Sequence, residues 1–434
     1  MPMLDTHQAP DRAILLQALE PKITRDASQR LLDELVHLST TAGLDIHTAQ
    51  LLSLQKVVPS TYFGSGQVEE LAHQIKINEI DVAVVNHALT PIQQRNLEKH
   101  LNVKVVDRTG LILEIFAARA RTREGTMQVE LASLMYQQSR LVRSWTHLER
   151  QRGGVGLRGG PGERQIEVDR RLIRNRIHKL KKQLEEVERT RALQRQPRKE
   201  IPLYTVALVG YTNAGKSTLF NLVTNAGVMA EDKLFATLDP TMRAVDLPEG
   251  GRVLLSDTVG FIRQLPHQLV AAFKATLEEV ISADLLLHVV DLSDPEWENY
   301  VDSVEEVLQE LDIQHTRTIT VYNKVDMLES RGVLERELAR EDTIGISAQT
   351  GEGVHELLTT LRAAVGRAMV RYQVTLPVSD GRWLAKFHAE ASVMETRMND
   401  ESTFLTVEMA PSVLGRLQGE AEKAGAKVRF KALD

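Results

Sequence analysis

The chain has 434 residues, too many for one ordinary hydrophobic core, so about two to four domains are expected. With 42% hydrophobic and 26% charged residues its composition is that of a soluble globular protein. The absence of cysteine excludes disulfides, thiolate zinc sites and cysteine nucleophiles, and suits a reducing cytosol.

No apolar run approaches the roughly 18 residues of a membrane span. The opening segment, Met1 to His7, lacks the basic and apolar regions of a signal peptide, so a cytoplasmic protein is expected.

Residues 1–118 alternate helical and strand patterns. Ser28 to Leu38 has helical periodicity, and Gln67 to Lys76 is amphipathic directly after Gly64-Ser65-Gly66. Asp81 to Val85 reads as a buried strand, Pro91 as the first residue of a helix, and Val103 to Val106 as another strand. The pattern predicts a small α/β domain with a partly parallel sheet. Phe63 to Gln67 fits a helix N-cap turn better than a phosphate loop, because Gly-x-Gly alone is a weak motif. No Gly-x-x-x-x-Gly-Lys-Ser/Thr occurs in this region, which argues against a second P-loop nucleotide site driving an RNA remodeller.

Residues 119–198 hold two long helical runs. Val129 to Leu148 carries Leu131, Leu134, Met135, Leu141, Val142 and Leu148 near helical spacing, and Ile166 to Leu193 carries Leu172, Ile173, Ile177, Leu180, Leu184 and Val187. Two such stripes predict an antiparallel helical hairpin. Its tip, Arg152 to Glu163, is rich in glycine, which packs poorly, and reads as a probe that orders on a target.

The net charge of −6 is unevenly spread. Residues 119–200 hold 21 Lys and Arg against 10 Asp and Glu, an excess of eleven positive charges, which leaves −17 on the remainder. A basic segment inside an acidic protein points to a polyanionic partner contacted by that segment, and counts against a factor with protein partners alone.

A linker from Pro197 to Pro202 leads into residues 199–370. There Gly210-Tyr211-Thr212-Asn213-Ala214-Gly215-Lys216-Ser217 follows the apolar run Val206 to Val209 and opens into a helix beginning near Thr218. Strand, glycine loop and helix are the context of a P-loop, whose backbone N–H groups cradle phosphates at a positive helix end. Lys216 would reach the β- and γ-phosphates, and the Ser217 hydroxyl would ligate Mg²⁺.

Phe235-Ala236-Thr237-Leu238-Asp239 reads as a loop that senses the γ-phosphate. Thr237 is the first candidate for the second metal hydroxyl, with Thr241 as its rival. In Asp257-Thr258-Val259-Gly260, Asp257 would hold Mg²⁺ through a water and the Gly260 N–H would meet the γ-phosphate. Small GTPases place a water-orienting glutamine next; here Phe261 stands instead and can neither donate nor accept a hydrogen bond, so slow intrinsic hydrolysis is expected. Arg263 and Gln264 lie nearby and read as solvated loop residues.

Asn323-Lys324-Val325-Asp326 follows the β-branched run Thr318 to Tyr322. The Asp326 carboxylate could accept from guanine N1–H and N2–H₂, which adenine does not offer. Lys324 would cover the purine face, and Asn323 would tie this loop to the P-loop. A backbone N–H of Ser347-Ala348-Gln349 would bond guanine O6.

From Tyr372 the pattern is strand, helix, two strands, helix, strand: Gln373–Leu376, Trp383–Glu390, Val393–Arg397, Thr403–Glu408, Ser412–Ala424 and Lys427–Phe430. That order predicts a small ferredoxin-like domain over 371–434.

Gly153-Gly154-Val155-Gly156, Gly160-Pro161-Gly162-Glu163 and Glu167 to Arg171, together with the three nucleotide-loop motifs above, resemble the HflX family of ribosome-associated GTPases. The resemblance implies binding to the large (50S) ribosomal subunit and its rRNA, splitting or rescue of stalled ribosomes or a part in subunit biogenesis, and GTP hydrolysis stimulated there. A monomer is expected, with Mg²⁺ as cofactor. Where the family usually has Glu-Thr-Gln-Leu-Glu, this chain has Glu163 to Glu167 with Arg164, which adds charge at the tip. The expected fold class is α/β: a P-loop GTPase domain with an N-terminal α/β domain, a long helical hairpin and a small C-terminal α+β domain.

Overall fold

The computed structural model describes residues 10–433 apart from 22, 152–160, 199–203, 225–233, 236–240, 249, 264–276, 312, 314–315, 369, 379, 400 and 410. Three sheets organise the described residues. The first contains β1 (Arg12–Leu19), β2 (Asp45–Ser53), β3 (Val82–Val85) and β4 (Lys104–Asp107), all parallel, in the order β2-β1-β3-β4. Alternation along β1 sorts its side chains to two cores. Ala13 and Leu15 pack with α1 (Arg25–Thr41) and α4 (Arg108–Arg119), whereas Ile14 and Leu16 pack with α2 (Ser65–Ile77) and α3 (Pro91–Leu101). Gln67 Oε1 accepts from the Gly64 N–H at 3.2 Å, so the glycine pair at 64 and 66 starts a helix, as expected from the sequence.

Two long helices follow, α5 (Arg123–Gln151) and α6 (Pro161–Arg198). Met127 and Leu131 meet Leu180, flanked by Leu134, Met135, Ile177, Leu184 and Val187, so the predicted stripes face each other over these residues, whereas Leu172 is exposed. Both helices outrun their apolar stripes, because the Arg-, Glu- and Gln-rich ends are good helix formers without carrying the stripe. Pro161, Gly162 and Glu163, read from the sequence as part of the tip, begin α6, where proline suits a first turn. Tip residues 152–160 lie outside the described residues.

The second sheet has the order β10-β9-β8-β5-β7-β6, parallel except where β6 meets β7. Its strands are β5 (Tyr204–Val209), β6 (Thr241–Asp246), β7 (Arg252–Asp257), β8 (Leu285–Asp291), β9 (Thr318–Asn323) and β10 (Thr343–Gly345). The helices between and after them are α7 (Lys216–Thr224), α8 (Glu278–Ile281), α9 (Trp297–Glu310), α10 (Gly332–Leu338) and α11 (Val354–Ala368). β8 is buried on both faces from Leu285 to Val290, as a central parallel strand must be, with His288 as the polar residue within it and Asp291 at its end.

The third sheet is antiparallel, β12-β13-β11-β14, formed by β11 (Val370–Pro377), β12 (Ser392–Met398), β13 (Ser402–Met409) and β14 (Arg429–Leu433). Helices α12 (Gly381–Glu390) and α13 (Pro411–Lys423) pack on one face through Trp383, Phe387, Leu417 and Ala421. Among the described residues no helix is long and apolar enough to cross a membrane.

Candidate functional site

β5 ends at Val209 and the chain turns into the glycine loop. Gly210 has φ +147°, and a Cβ there would lie 2.2 Å from the Val289 carbonyl oxygen. Gly215 has φ +93°, and its Cβ would lie 2.2 Å from Asn323 Nδ2. Only glycine fits either place. Lys216 turns back under the loop, where Nζ donates to the carbonyls of Gly210 (3.0 Å) and Tyr211 (2.7 Å). Burial strips water from this ammonium and lowers its pKa to about 8, against the opposing pull of the Asp257 charge.

The next parts gather around Lys216. Ser217 Oγ donates to Asp257 Oδ2 at 2.7 Å, at the buried end of β7. Thr258 Oγ1 donates to the Leu208 carbonyl at 2.5 Å, which fastens the segment after β7 to β5. Gly260 closes against the loop: a Cβ on it would stand 2.8 Å from Thr212 Cγ2 and 3.1 Å from Lys216 Nζ. Val259 packs instead toward the core of the first sheet.

Asn323 sits between two loops. Its Nδ2 donates to the Ala214 carbonyl at 2.8 Å, and its Oδ1 accepts from the Ala348 N–H at 2.9 Å. Lys324, in a left-handed conformation, reaches Asp291 at 2.6 Å, and Val325 is buried below it. Asp326 is exposed on the short turn Val325–Met327. The Ser347 N–H is bound to the Glu352 carbonyl and the Ala348 N–H to Asn323, whereas the Gln349 N–H has no hydrogen bond among the described residues.

Other residues singled out from the sequence are not gathered here. Ala236, Thr237, Leu238 and Asp239 lie outside the described residues, as does Gln264. Phe235 is buried with its ring edge-on to Phe116 at 4.6 Å, so only its backbone is available to a ligand. Thr241 opens β6 opposite Asp257 in the ladder. Phe261 is buried among Val209, Val280 and Leu286, and its backbone pairs with the glycine loop: its N–H donates to Gly210 O at 3.1 Å and its C=O accepts from the Thr212 N–H at 2.7 Å.

Sequence reasoning missed the wall beside Tyr211. The Tyr211 ring stacks on Tyr300 at 4.1 Å and its hydroxyl donates to Glu34 Oε1 at 2.9 Å. Glu34 also receives Arg108 Nη2 at 2.9 Å, and the same nitrogen donates to the Arg263 carbonyl. Arg263, read as solvated, is bound to Glu296 at 2.9 Å and lies over the Tyr300 ring. Arg30 reaches Glu296 from α1 at 2.8 Å. A cavity of about 420 Å³ opens here, lined in part by Arg30, Glu34, His37, Tyr211, Asn213 and Asp291.

The chain is 84% identical over its whole length to "GTPase HflX" of Magnetococcus marinus, covering all of both chains. It belongs to the HflX family of GTPases. A second HflX, from Escherichia coli, is 45% identical over 94% of this chain and 95% of the relative. Family models agree along the length: GTP-binding GTPase N-terminal at 29–117, GTP-binding GTPase Middle Region at 119–198, 50S ribosome-binding GTPase at 205–324 and HflX C-terminal domain at 332–426. Among solved structures, a GTP-binding protein of Sulfolobus solfataricus in complex with GDP aligns over 82% of this chain and 99% of that one, at 23% identity and TM-score 0.45.

Proposed function

We propose that this HflX-family GTPase is a nucleotide-switched factor of the large ribosomal subunit, and that its two states differ in how firmly residues 119–198 engage ribosomal RNA. The observation that carries the nucleotide half is the bridge made by Asn323, which joins the phosphate loop at Ala214 to the segment at Ala348. A guanine placed there would meet the Asp326 carboxylate along its N1–H and N2–H₂ edge, the Gln349 N–H at O6 and the Lys324 stem on its face. Charge supports the other half, since 21 Lys and Arg against 10 Asp and Glu in residues 119–200 suit an RNA backbone.

Mg²⁺ fits the donors present. Ser217 Oγ and Asp257 Oδ2 are hard oxygen ligands 2.7 Å apart beside Lys216, which suits direct ligation by the hydroxyl and contact through water by the carboxylate. Thr237 would complete the set. When bound, the ion neutralises charge on the β- and γ-phosphate oxygens. Lys216 holds those phosphates in place, and the Gly260 N–H meets the γ-phosphate.

No side chain at 261 can orient the attacking water, because the Phe261 ring is buried in the core. Slow hydrolysis alone, raised by the large subunit, follows from that. In the cell we assign the factor to splitting or rescue of stalled ribosomes, with subunit assembly as the other use of the same docking.

The test is co-sedimentation with 50S subunits at two salt concentrations, with a GTP analogue or GDP, beside turnover with and without subunits. Binding favoured by the analogue, a steep salt dependence and a rise in turnover are expected. Equal binding in both nucleotide states, with turnover unchanged, would overturn the reading.

A further inference from the structure

Among the described residues, the third sheet has helices on one face only. Strand pairing aligns the side chains of that face in rows across all four strands. One row runs Arg397, Phe404, Thr375, Arg429, and the next runs Glu395, Thr406, Gln373, Lys431. A third brings Glu408 beside Arg371. Rows two residues apart on a strand are spaced by about 7 Å, and neighbouring strands by about 5 Å.

The composition of this face is unlike a solvated sheet surface. Phe404 lies half-buried on a central strand, at the middle of the face, while the residues that alternate with it, Thr403 and Leu405, turn into the helical core. Threonine and glutamine side chains surround the ring with hydrogen-bonding groups. Four cations, Arg371, Arg397, Arg429 and Lys431, stand against two carboxylates, Glu395 and Glu408. Both carboxylates are engaged within the sheet, Glu395 with Arg397 at 2.8 Å and Glu408 with Arg371 at 3.8 Å. Arg429 and Lys431 are exposed and make no ion pair among the described residues.

We infer that this open face binds single-stranded RNA, with one base stacked on Phe404 and flanking phosphates held by Arg429 and Lys431. An aromatic ring at the centre of a four-stranded sheet offers a platform for an unpaired base, and the polar groups beside it can meet base edges. Cations one row apart along β14 match the pitch of an extended strand. A double helix would present only its backbone to a flat face and could not reach the ring. The proposal is independent of the nucleotide switch, because the face lies on a sheet of its own.

The test uses the full chain and a 12-nucleotide RNA carrying 4-thiouridine, single-stranded or annealed to its complement, followed by photo-crosslinking and mapping of the adducts. The single strand should give adducts on β13 near Phe404, and the duplex should not. Phe404→Ala should lower their yield at least about fivefold while Phe404→Tyr keeps it, since stacking on one ring is worth about 1–3 kcal/mol.

Arg429→Glu with Lys431→Glu, at exposed positions where folding is not at stake, should remove the same adducts and leave those on residues 119–198 in place. Adducts confined to residues 119–198, or β13 adducts that ignore all these variants, would overturn the proposal and leave the face to a protein partner. Neither result would touch the reading of the ribosome switch.

Discussion

The Tyr211 hydroxyl donates a 2.9 Å hydrogen bond to Glu34 Oε1, although 177 residues separate the two in sequence. The bond joins the glycine loop to α1 of the first sheet. It is reinforced by Arg108, whose side chain is 5% exposed and which grips both Glu34 and the Arg263 carbonyl. The first sheet is therefore fastened both to the glycine loop at Tyr211 and to the segment after Gly260 at Arg263.

Removing Glu34 should be costly. Glu34→Ala would leave the Arg108 guanidinium in a poorly hydrated place without its carboxylate, a loss of about 3 kcal/mol. The expected result is a lower denaturant midpoint for the first unfolding transition, with a smaller drop for Glu34→Gln. An unmoved midpoint in both variants would mean that the pair does not hold the two sheets together.

Gly215→Ala should separate folding from binding. Its Cβ would need the space of Asn323 Nδ2 and would hold a left-handed backbone, so the loop must shift. GDP affinity should fall on the order of a hundredfold, about 3 kcal/mol, with the thermal midpoint changed little. Fluorescent GDP titration checks this, and parental affinity would refute the contact between Gly215 and Asn323.

Asp326→Asn should exchange the preferred base. The exposed carboxylate has no other partner among the described residues, and an amide supplies a donor where guanine also donates. GTP binding should weaken on the order of a hundredfold, and xanthosine triphosphate, whose O2 accepts, should gain. If the variant binds GTP as the parent does, Asp326 does not read the base.

Lys216 gives a pH dependence with a definite sign. Burial lowers its pKa to about 8 in the free protein, and phosphate needs the charged form. Affinity should thus be flat below pH 8 and fall about tenfold per pH unit above it, with proton uptake on binding. The same depression lowers the protein's own proton binding between about 8 and 10.5, so the free fold is favoured as pH rises through that window. Calorimetry in buffers of different ionisation heat reads the uptake directly. A GTP affinity that stays level to pH 9.5 would contradict it.

Contiguous features were legible in the sequence. The glycine loop, the Asp257–Gly260 stretch and the Asn323–Asp326 turn each declare themselves within a few residues, because strand, loop and helix signals adjoin. The order of elements in the tail was equally clear, since its two central strands, β11 and β13, alternate cleanly. Pairing across distance was not. β2 alternates only between exposed and half-buried positions, and β1, buried from Ala13 to Ala18 on both faces, gives no period to count. Nothing local marks Tyr211 as a partner of Glu34, or turns Phe235 toward Phe116 instead of toward a ligand. Asp291, at the end of an apolar strand, gives no sign of its pairing with Lys324.

Phe261 has a consequence for anyone who would speed this enzyme. Its ring fills the space between Val209, Val280 and Leu286, and its peptide groups stitch two loops together. Grafting the glutamine of small GTPases at this place would put an amide into hydrocarbon and hollow the interior, with no water there to turn. The position is a rivet, not a timer, and a faster self-timed variant has to be sought at other addresses.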